Sequence, residues 1–181
     1  MMYDDLESIL YTPEAIAERI GELGKEITES YQGKDLVLIG ILKGAVPFVA
    51  DLMRAIEMPL EYDFMAVSSY GASTKSSGTV RFLKDLDIGI ENRDVIIVED
   101  IVDTGLTLHY LVENLRSRKP KSLKICTLLD KPSRRKAEIS SDYNGFEIPD
   151  VFVVGYGLDY AGKYRNLPCI GVLSEKIYTE M

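Results

Sequence analysis

The feature that most constrains this chain is the stretch Val95–Thr107, VIIVEDIVDTGLT. It opens with Val95, Ile96, Ile97 and Val98, an apolar run of β-branched residues. Such a run predicts a strand buried on both faces, as in parallel sheets. The run stops at two adjacent carboxylates, Glu99 and Asp100. A third, Asp103, precedes Thr104, Gly105, Leu106 and Thr107. A helical period then begins, with Leu108, Leu111, Val112 and Leu115 at i, i+3, i+4 and i+7. The order is buried strand, acidic tip, small hydroxyl-bearing turn, helix. In open α/β sheets, ligands collect at the carboxyl ends of strands. A Thr-Gly-x-Thr turn at a helix N-terminus presents free backbone N–H groups and the positive dipole end to an anion. Neighbouring carboxylates do the opposite work, accepting from sugar hydroxyls or holding Mg2+. One loop thus offers a phosphate cup beside a diol or metal clamp, and a ribose 5-phosphate fits both.

The flanking sequence repeats the strand-to-helix pattern. Thr12-Pro13-Glu14 is a helix start, Ile16, Ile20, Leu23 and Ile27 give one apolar face, and Gly33 ends it. Asp35–Gly40 reads as a core strand, followed by Ile41-Leu42-Lys43-Gly44 and a helix from about Ala45 to Ile56. A Lys-Gly at a strand tip offers an ammonium and an exposed backbone N–H to phosphate; it is equally a plain turn with a solvated lysine. Leu60–Val67 alternates like a half-buried strand. Ser68–Thr79, rich in Ser, Thr and Gly, reads as a flexible linker or as a lid, and Val80–Lys84 returns as a strand. Leu123–Leu129 is another buried strand with Asp130, Lys131 and Pro132 at its tip. Arg134, Arg135 and Lys136 read as a solvated face. Val151–Gly155 and Cys169–Leu173 are further strand-like runs, and Phe152 has the usual look of a core aromatic.

At 181 residues the chain suffices for one α/β domain. Its 21 basic and 29 acidic residues leave a net charge of −8, which disfavours nucleic-acid and anionic-membrane binding. An anionic ligand would need local Lys, Arg or Mg2+ to reverse the field. Cys126 and Cys169 lie in apolar runs and form no CxxC, which suits a reduced compartment. The N-terminal MMYDDLESIL is acidic and does not read as a signal peptide, and no stretch approaches a membrane span; the expected address is the cytoplasm. There is no GxGxxG or GxxxxGK[ST] string, so dinucleotide and P-loop chemistry find no support. A Mg2+-dependent phosphatase wants D-x-D, whereas this loop has Glu-Asp-x-x-Asp.

The string from Glu99 to Thr107, two acids followed by D-T-G-x-T, resembles the phosphoribosyl-diphosphate loop of the type I phosphoribosyltransferases. Within that family the chain is similar to the hypoxanthine-guanine branch. Leu42-Lys43-Gly44 matches the pyrophosphate-binding loop, in which the Leu-Lys peptide is cis. Ser69 and Tyr70, in Ser-Ser-Tyr-Gly, match the closing loop. Lys131 matches the purine-binding lysine, and VFVVGYGLDY matches the base-binding segment. The likeness runs from about Asp35 to Leu173. It implies one domain over residues 1–181, a twisted, mostly parallel sheet flanked by helices, and a small hood made by the chain ends.

The implied reaction moves a 5-phosphoribosyl group from phosphoribosyl diphosphate to N9 of hypoxanthine or guanine. It yields the purine mononucleotide, IMP or GMP, and pyrophosphate, as in purine salvage. Mg2+ is the implied cofactor and a homodimer or homotetramer the implied assembly. By the same resemblance, Asp103 is the general acid/base. Leu42, Lys43, Gly44 and Arg165 hold pyrophosphate, and Thr104, Gly105, Leu106 and Thr107 hold the 5′-phosphate. Glu99 and Asp100 hold ribose hydroxyls and metal, and Asp159 also ligates metal. Lys131, Phe152 and the Val153 backbone receive the base. Leu106 stands where some members carry Lys, and a backbone cup needs no side chain there. A regulator of the same fold that binds RNA is the rival within the family, and the acidic net charge weighs against it.

Overall fold

The computed structural model describes residues 2–69 and 80–179. In chain order its elements are β1 (Leu6–Tyr11), α1 (Pro13–Tyr31), β2 (Leu36–Ile41), α2 (Val46–Ala55), β3 (Glu61–Ser69), β4 (Val80–Lys84), β5 (Asp94–Val102), α3 (Leu106–Ser117), β6 (Ser122–Asp130), β7 (Tyr143–Glu147), β8 (Val153–Val154), β9 (Ile170–Leu173) and α4 (Glu175–Thr179). The main sheet runs β4-β3-β2-β5-β6-β7. Five of its strands are parallel, and β4 pairs antiparallel at the edge. This is the mostly parallel, helix-flanked sheet that the sequence predicts.

Strand alternation divides the core into two layers. On β2 and β5, Leu36, Leu38, Ile96 and Val98 pack with Leu23 and Ile27 of α1 and Phe48 and Leu52 of α2. Their neighbours Val37, Ile39, Val95 and Ile97 face the other way, onto Leu108, Leu111 and Leu115 of α3. Helices therefore cover both faces. α1 starts as expected: Thr12 Oγ1 accepts from the Ala15 N–H at 3.3 Å and Pro13 fills the first helical position.

Three readings change. β5 does not stop at its carboxylates but continues through Glu99 and Asp100 to Val102. Its neighbour β6 runs equally far, so Glu99 pairs with Thr127, Ile101 with Leu129 and Val102 with Asp130. Glu99 and Asp100 are thus strand residues, held on opposite sides of the pleat. Second, β1 and β7 are strands without a long apolar run. Each is covered on one side only, so the buried-run signal does not find them. Third, the Val151–Gly155 run shrinks to the two residues of β8. β8 joins β9 and β1 in a separate three-stranded antiparallel sheet. This hood draws on both ends of the chain and is seated by Val154, Leu167, Cys169 and Leu173, with Ile177 and Tyr178 of α4 against them. Ser69 closes β3 opposite Val80. Tyr70 and the remainder of the expected lid, residues 71–79, lie outside the described residues. Among the described residues no helix is long and apolar enough to cross a membrane.

Candidate active site

Parallel strands end together, so the tips of β2, β5 and β6 form one rim. Past β2, the Leu42–Lys43 peptide is cis. The Leu42 N–H donates to the Met65 carbonyl at 2.8 Å, and the Val46 N–H returns to the Lys43 carbonyl at 3.2 Å. Gly44 lies against Asp100, which leaves no room for a side chain, and Gly157 lies as tightly against Gly44. A Cβ on Gly44 would sit 1.6 Å from Asp100 Oδ2, and a Cβ on Gly157 would sit 2.0 Å from the Gly44 carbonyl oxygen. Gly157 also has φ +98°, which only glycine adopts freely. Arg165 reaches the same place. Its Nη1 donates to the Gly157 carbonyl at 2.5 Å, and its Nη2 lies 2.7 Å from Asp159 Oδ1. The buried Gly44 and the half-buried Asp159 and Arg165 are thereby gathered around Asp100, with the exposed Lys43 next to Gly44 in the chain.

Past β5, Gly105 caps α3 in the left-handed region at φ +79°. The Thr104 carbonyl accepts from the Lys136 and Ala137 N–H groups at 2.9 and 3.2 Å, which fixes the turn from outside. A cavity of about 130 Å³ is enclosed by Glu99, Asp103, Thr104, Gly105 and Thr107. It opens onto the first turn of α3, whose N–H groups have no intrahelical acceptors. Leu106 points its side chain outward, 49% exposed, and takes no part in the cavity wall.

A second cavity, about 450 Å³, lies between the rim and the hood. Asp103, Lys131, Phe152 and Val153 line it, and so do Arg134 and Tyr178. Lys131 extends β6: its N–H donates to the Val102 carbonyl at 2.9 Å. Its ammonium is buried, donates to the Val151 carbonyl at 2.6 Å and stands 3.8 Å from Asp150 Oδ1. One of its three donors is thereby engaged and a second faces Asp150. Phe152 is no core residue; it is 42% exposed, with Tyr160 edge-on at 5.8 Å. Asp103 is held by Arg134, Nε to Oδ1 at 3.0 Å, and Arg134 also reaches Asp150 at 3.4 Å. Asp103 lines both cavities and so stands at their junction.

Of the Arg-Arg-Lys run, Arg134 and Lys136 are exposed as expected of a solvated face, but Arg135 is largely covered and both arginines find carboxylate partners. Arg134 turns into the larger cavity. Arg135 packs its side chain against Gly105, donates to Asp130 and reaches the Ile139 carbonyl at 3.2 Å. For Arg134 a positive run in a polar stretch gives no sign of Asp103, which lies 31 residues away, whereas the Asp130 partner of Arg135 is local, five residues upstream. Asp150, Gly157 and Tyr178 carry no local signal of a role, because each is an ordinary residue until the hood folds onto the rim.

Electrostatically the rim is unbalanced. Burial pushes the Glu99 carboxyl well above its ordinary range, and the neighbouring Asp100 charge adds to this. Burial also raises Asp100, from 3.8 to about 6, with the Asp159 charge adding and Arg165 opposing. Proton uptake by Asp100 therefore stabilises the fold. That contribution is complete below its unfolded value and is lost as pH rises through about 6. Above that pH the native state holds a buried charge at a cost. Asp100→Asn removes the charge and is expected to raise the melting temperature of the metal-free protein at pH 8 by several degrees. The gain should shrink toward pH 5. Thermal unfolding in excess chelator at both pH values checks this, and no gain at pH 8 would refute it.

Comparison with known proteins places this geometry. A family model described as the phosphoribosyl transferase domain matches residues 7–161. The hypoxanthine-guanine phosphoribosyltransferase of Bacillus subtilis is 60% identical over 178 residues, which cover 98% of this chain and 99% of that protein. The protein of that name from Mycobacterium tuberculosis is 56% identical over 180 residues, 96% of this chain and 89% of that one. A crystal structure of a hypoxanthine phosphoribosyltransferase from Staphylococcus aureus superposes with a TM-score of 0.96 at 54% identity, covering 98% of this chain and 97% of that one. Rim, phosphate turn and hood are thus shared along nearly the whole chain, and this protein belongs to the phosphoribosyltransferase family, in its hypoxanthine-guanine branch.

Proposed function

We propose that the chain transfers 5-phosphoribosyl from phosphoribosyl diphosphate to N9 of a 6-oxopurine, giving IMP or GMP and pyrophosphate, in purine salvage. One observation carries the reading: Asp103 is the carboxylate that, beside Ile101, lines both cavities. The smaller cavity, at the start of α3, suits the 5′-phosphate. The larger cavity, with an exposed phenyl ring and a lysine, suits a planar base bearing a carbonyl. A carboxylate between them stands where the base must lose a proton as its N9 bonds to C1′ and the bond to pyrophosphate breaks.

Thr104, Gly105, Leu106 and Thr107 bind the 5′-phosphate through backbone N–H groups. Glu99 and Asp100 take the ribose hydroxyls. Lys43, Gly44 and Arg165 receive the pyrophosphate, whose negative charge grows as it leaves. Asp103 accepts the proton at N7. Phe152 stacks on the base, Lys131 donates to its C6 carbonyl and the Val153 backbone meets its edge. Ser69 and Tyr70 close over the site and exclude water that would hydrolyse the activated sugar.

The donor set suits Mg2+. Glu99 and Asp100 are hard oxygen ligands, and the ion pairs among the described residues leave both out. Among those residues no group of three potential ligands converges. Mg2+ is commonly held by one or two carboxylates, with substrate oxygens and water completing the shell, and Asp159 would add a ligand on leaving Arg165. When bound, the ion screens the pyrophosphate charge. Activity is expected to vanish in excess EDTA and to return with Mg2+; full turnover in EDTA would overturn this part.

We place the protein in the cytoplasm, which suits two free, buried cysteines. We assign it a homodimer or homotetramer, which would cover large apolar side chains exposed at Tyr62 and Leu83 on the β3–β4 end of the sheet. The whole reading is tested by incubating the protein with phosphoribosyl diphosphate, Mg2+ and each base in turn, and looking for the mononucleotide.

A further inference from the structure

We propose that Tyr178, on the C-terminal helix α4, is a second aromatic surface of the base cavity and a determinant of base affinity. The inference rests on the reading of the larger cavity as the purine site. Tyr178 lines that cavity together with Phe152, Lys131 and Asp103. Its ring centre lies 5.5 Å from that of Phe152, and the two planes differ by only 35°. Tyr160 approaches both rings, at 5.8 Å and 88° to Phe152 and at 6.3 Å and 59° to Tyr178. Tyr160 therefore braces the pair from the side. Ile177 and Tyr178 pack on the hood core, which anchors the short helix that carries the ring.

The shape of the ligand supplies the reason for two rings. A purine has two fused rings and is wider than one phenyl group. Stacked on Phe152, it overhangs. At 5.5 Å between centres and 35° between planes the two rings are offset and not coplanar, so Tyr178 adds a second apolar wall beside a base stacked on Phe152, and aromatic contacts of this kind add to affinity beyond the area they bury. The contact involves only the base. On the proposed reading phosphoribosyl diphosphate lies along the rim, and none of the residues assigned to it is on α4.

The test is steady-state kinetics on the full chain, varying hypoxanthine and phosphoribosyl diphosphate separately. Tyr178→Ala is expected to raise KM for hypoxanthine about tenfold, in line with the loss of one base–aromatic contact. KM for phosphoribosyl diphosphate and kcat at saturation should be unchanged. Tyr178→Phe should behave as the wild type, since the ring and not the hydroxyl makes the surface. Tyr178→Leu keeps apolar volume on the hood core and should melt as the wild type does, yet bind the base as weakly as the alanine variant. Normal base binding by the leucine variant would make Tyr178 a packing residue and overturn the proposal. So would an equal rise in both KM values. Phe152→Ala separates the two levels of argument. If it raises KM for hypoxanthine while Tyr178→Ala does not, this inference fails alone; if neither matters, the base-site reading fails and takes this inference with it.

Discussion

Asp103→Asn is expected to lower kcat by about two orders of magnitude or more while phosphoribosyl diphosphate still binds. The two residues are nearly isosteric, so the walls of both cavities survive. What disappears is the proton acceptor. The amide also cannot form the ion pair that Arg134 makes with Asp103 at 3.0 Å. That pair is nearly half exposed on both sides and contributes little to stability, so the variant should fold normally. Single-turnover measurement at saturating substrates separates chemistry from binding. An unchanged kcat would move Asp103 from catalyst to helix-turn residue.

Lys131→Ala is expected to collapse the preference for hypoxanthine over adenine. Hypoxanthine carries an acceptor at C6 and adenine a donor. An ammonium has only donors, so it bonds the first and opposes the second. Rejection by a site built for one hydrogen bond can reach about four orders of magnitude. Here it should be smaller, about two orders, because Lys131 keeps the Val151 carbonyl at 2.6 Å even when the base offers nothing. The wild type should favour hypoxanthine strongly in kcat/KM, and the alanine variant should lose mainly hypoxanthine activity. An unchanged ratio would shift base selection to the Val151–Asp159 segment.

These expectations rest on residues of unequal legibility. The central strand and phosphate turn were readable because their signals are local. A β-branched run predicts burial on both faces, and Thr104-Gly105-Leu106-Thr107 predicts a helix N-terminus whatever surrounds it. The packing face of α1 was readable for the same reason. Glu99 and Asp100 were read as a tip, because nothing in their own segment tells that β6 continues alongside. The engagement of Arg134 was hidden because its partner Asp103 follows another strand, whereas Asp130, the partner of Arg135, ends the strand just before it and was within local reach. Tyr178 acquires a role only when α4 folds onto the hood, a contact between a short terminal helix and a sheet assembled from both ends of the chain. Local chemistry is written in order along the sequence, whereas partnership across elements is not.

The abutment of Gly157 on the Gly44 carbonyl acts as a gauge for the whole enzyme. At this point no side chain separates Gly157 from the Gly44 main chain, so on the proposed reading the spacing of base and pyrophosphate sites is set there by backbone contact. Substitutions at Phe152, Lys131 or Tyr178 can retune which base is accepted while leaving that span alone. On the proposed reading, base choice and hood-to-rim spacing are thus separate design variables, the first set by side chains and the second where the two glycines meet.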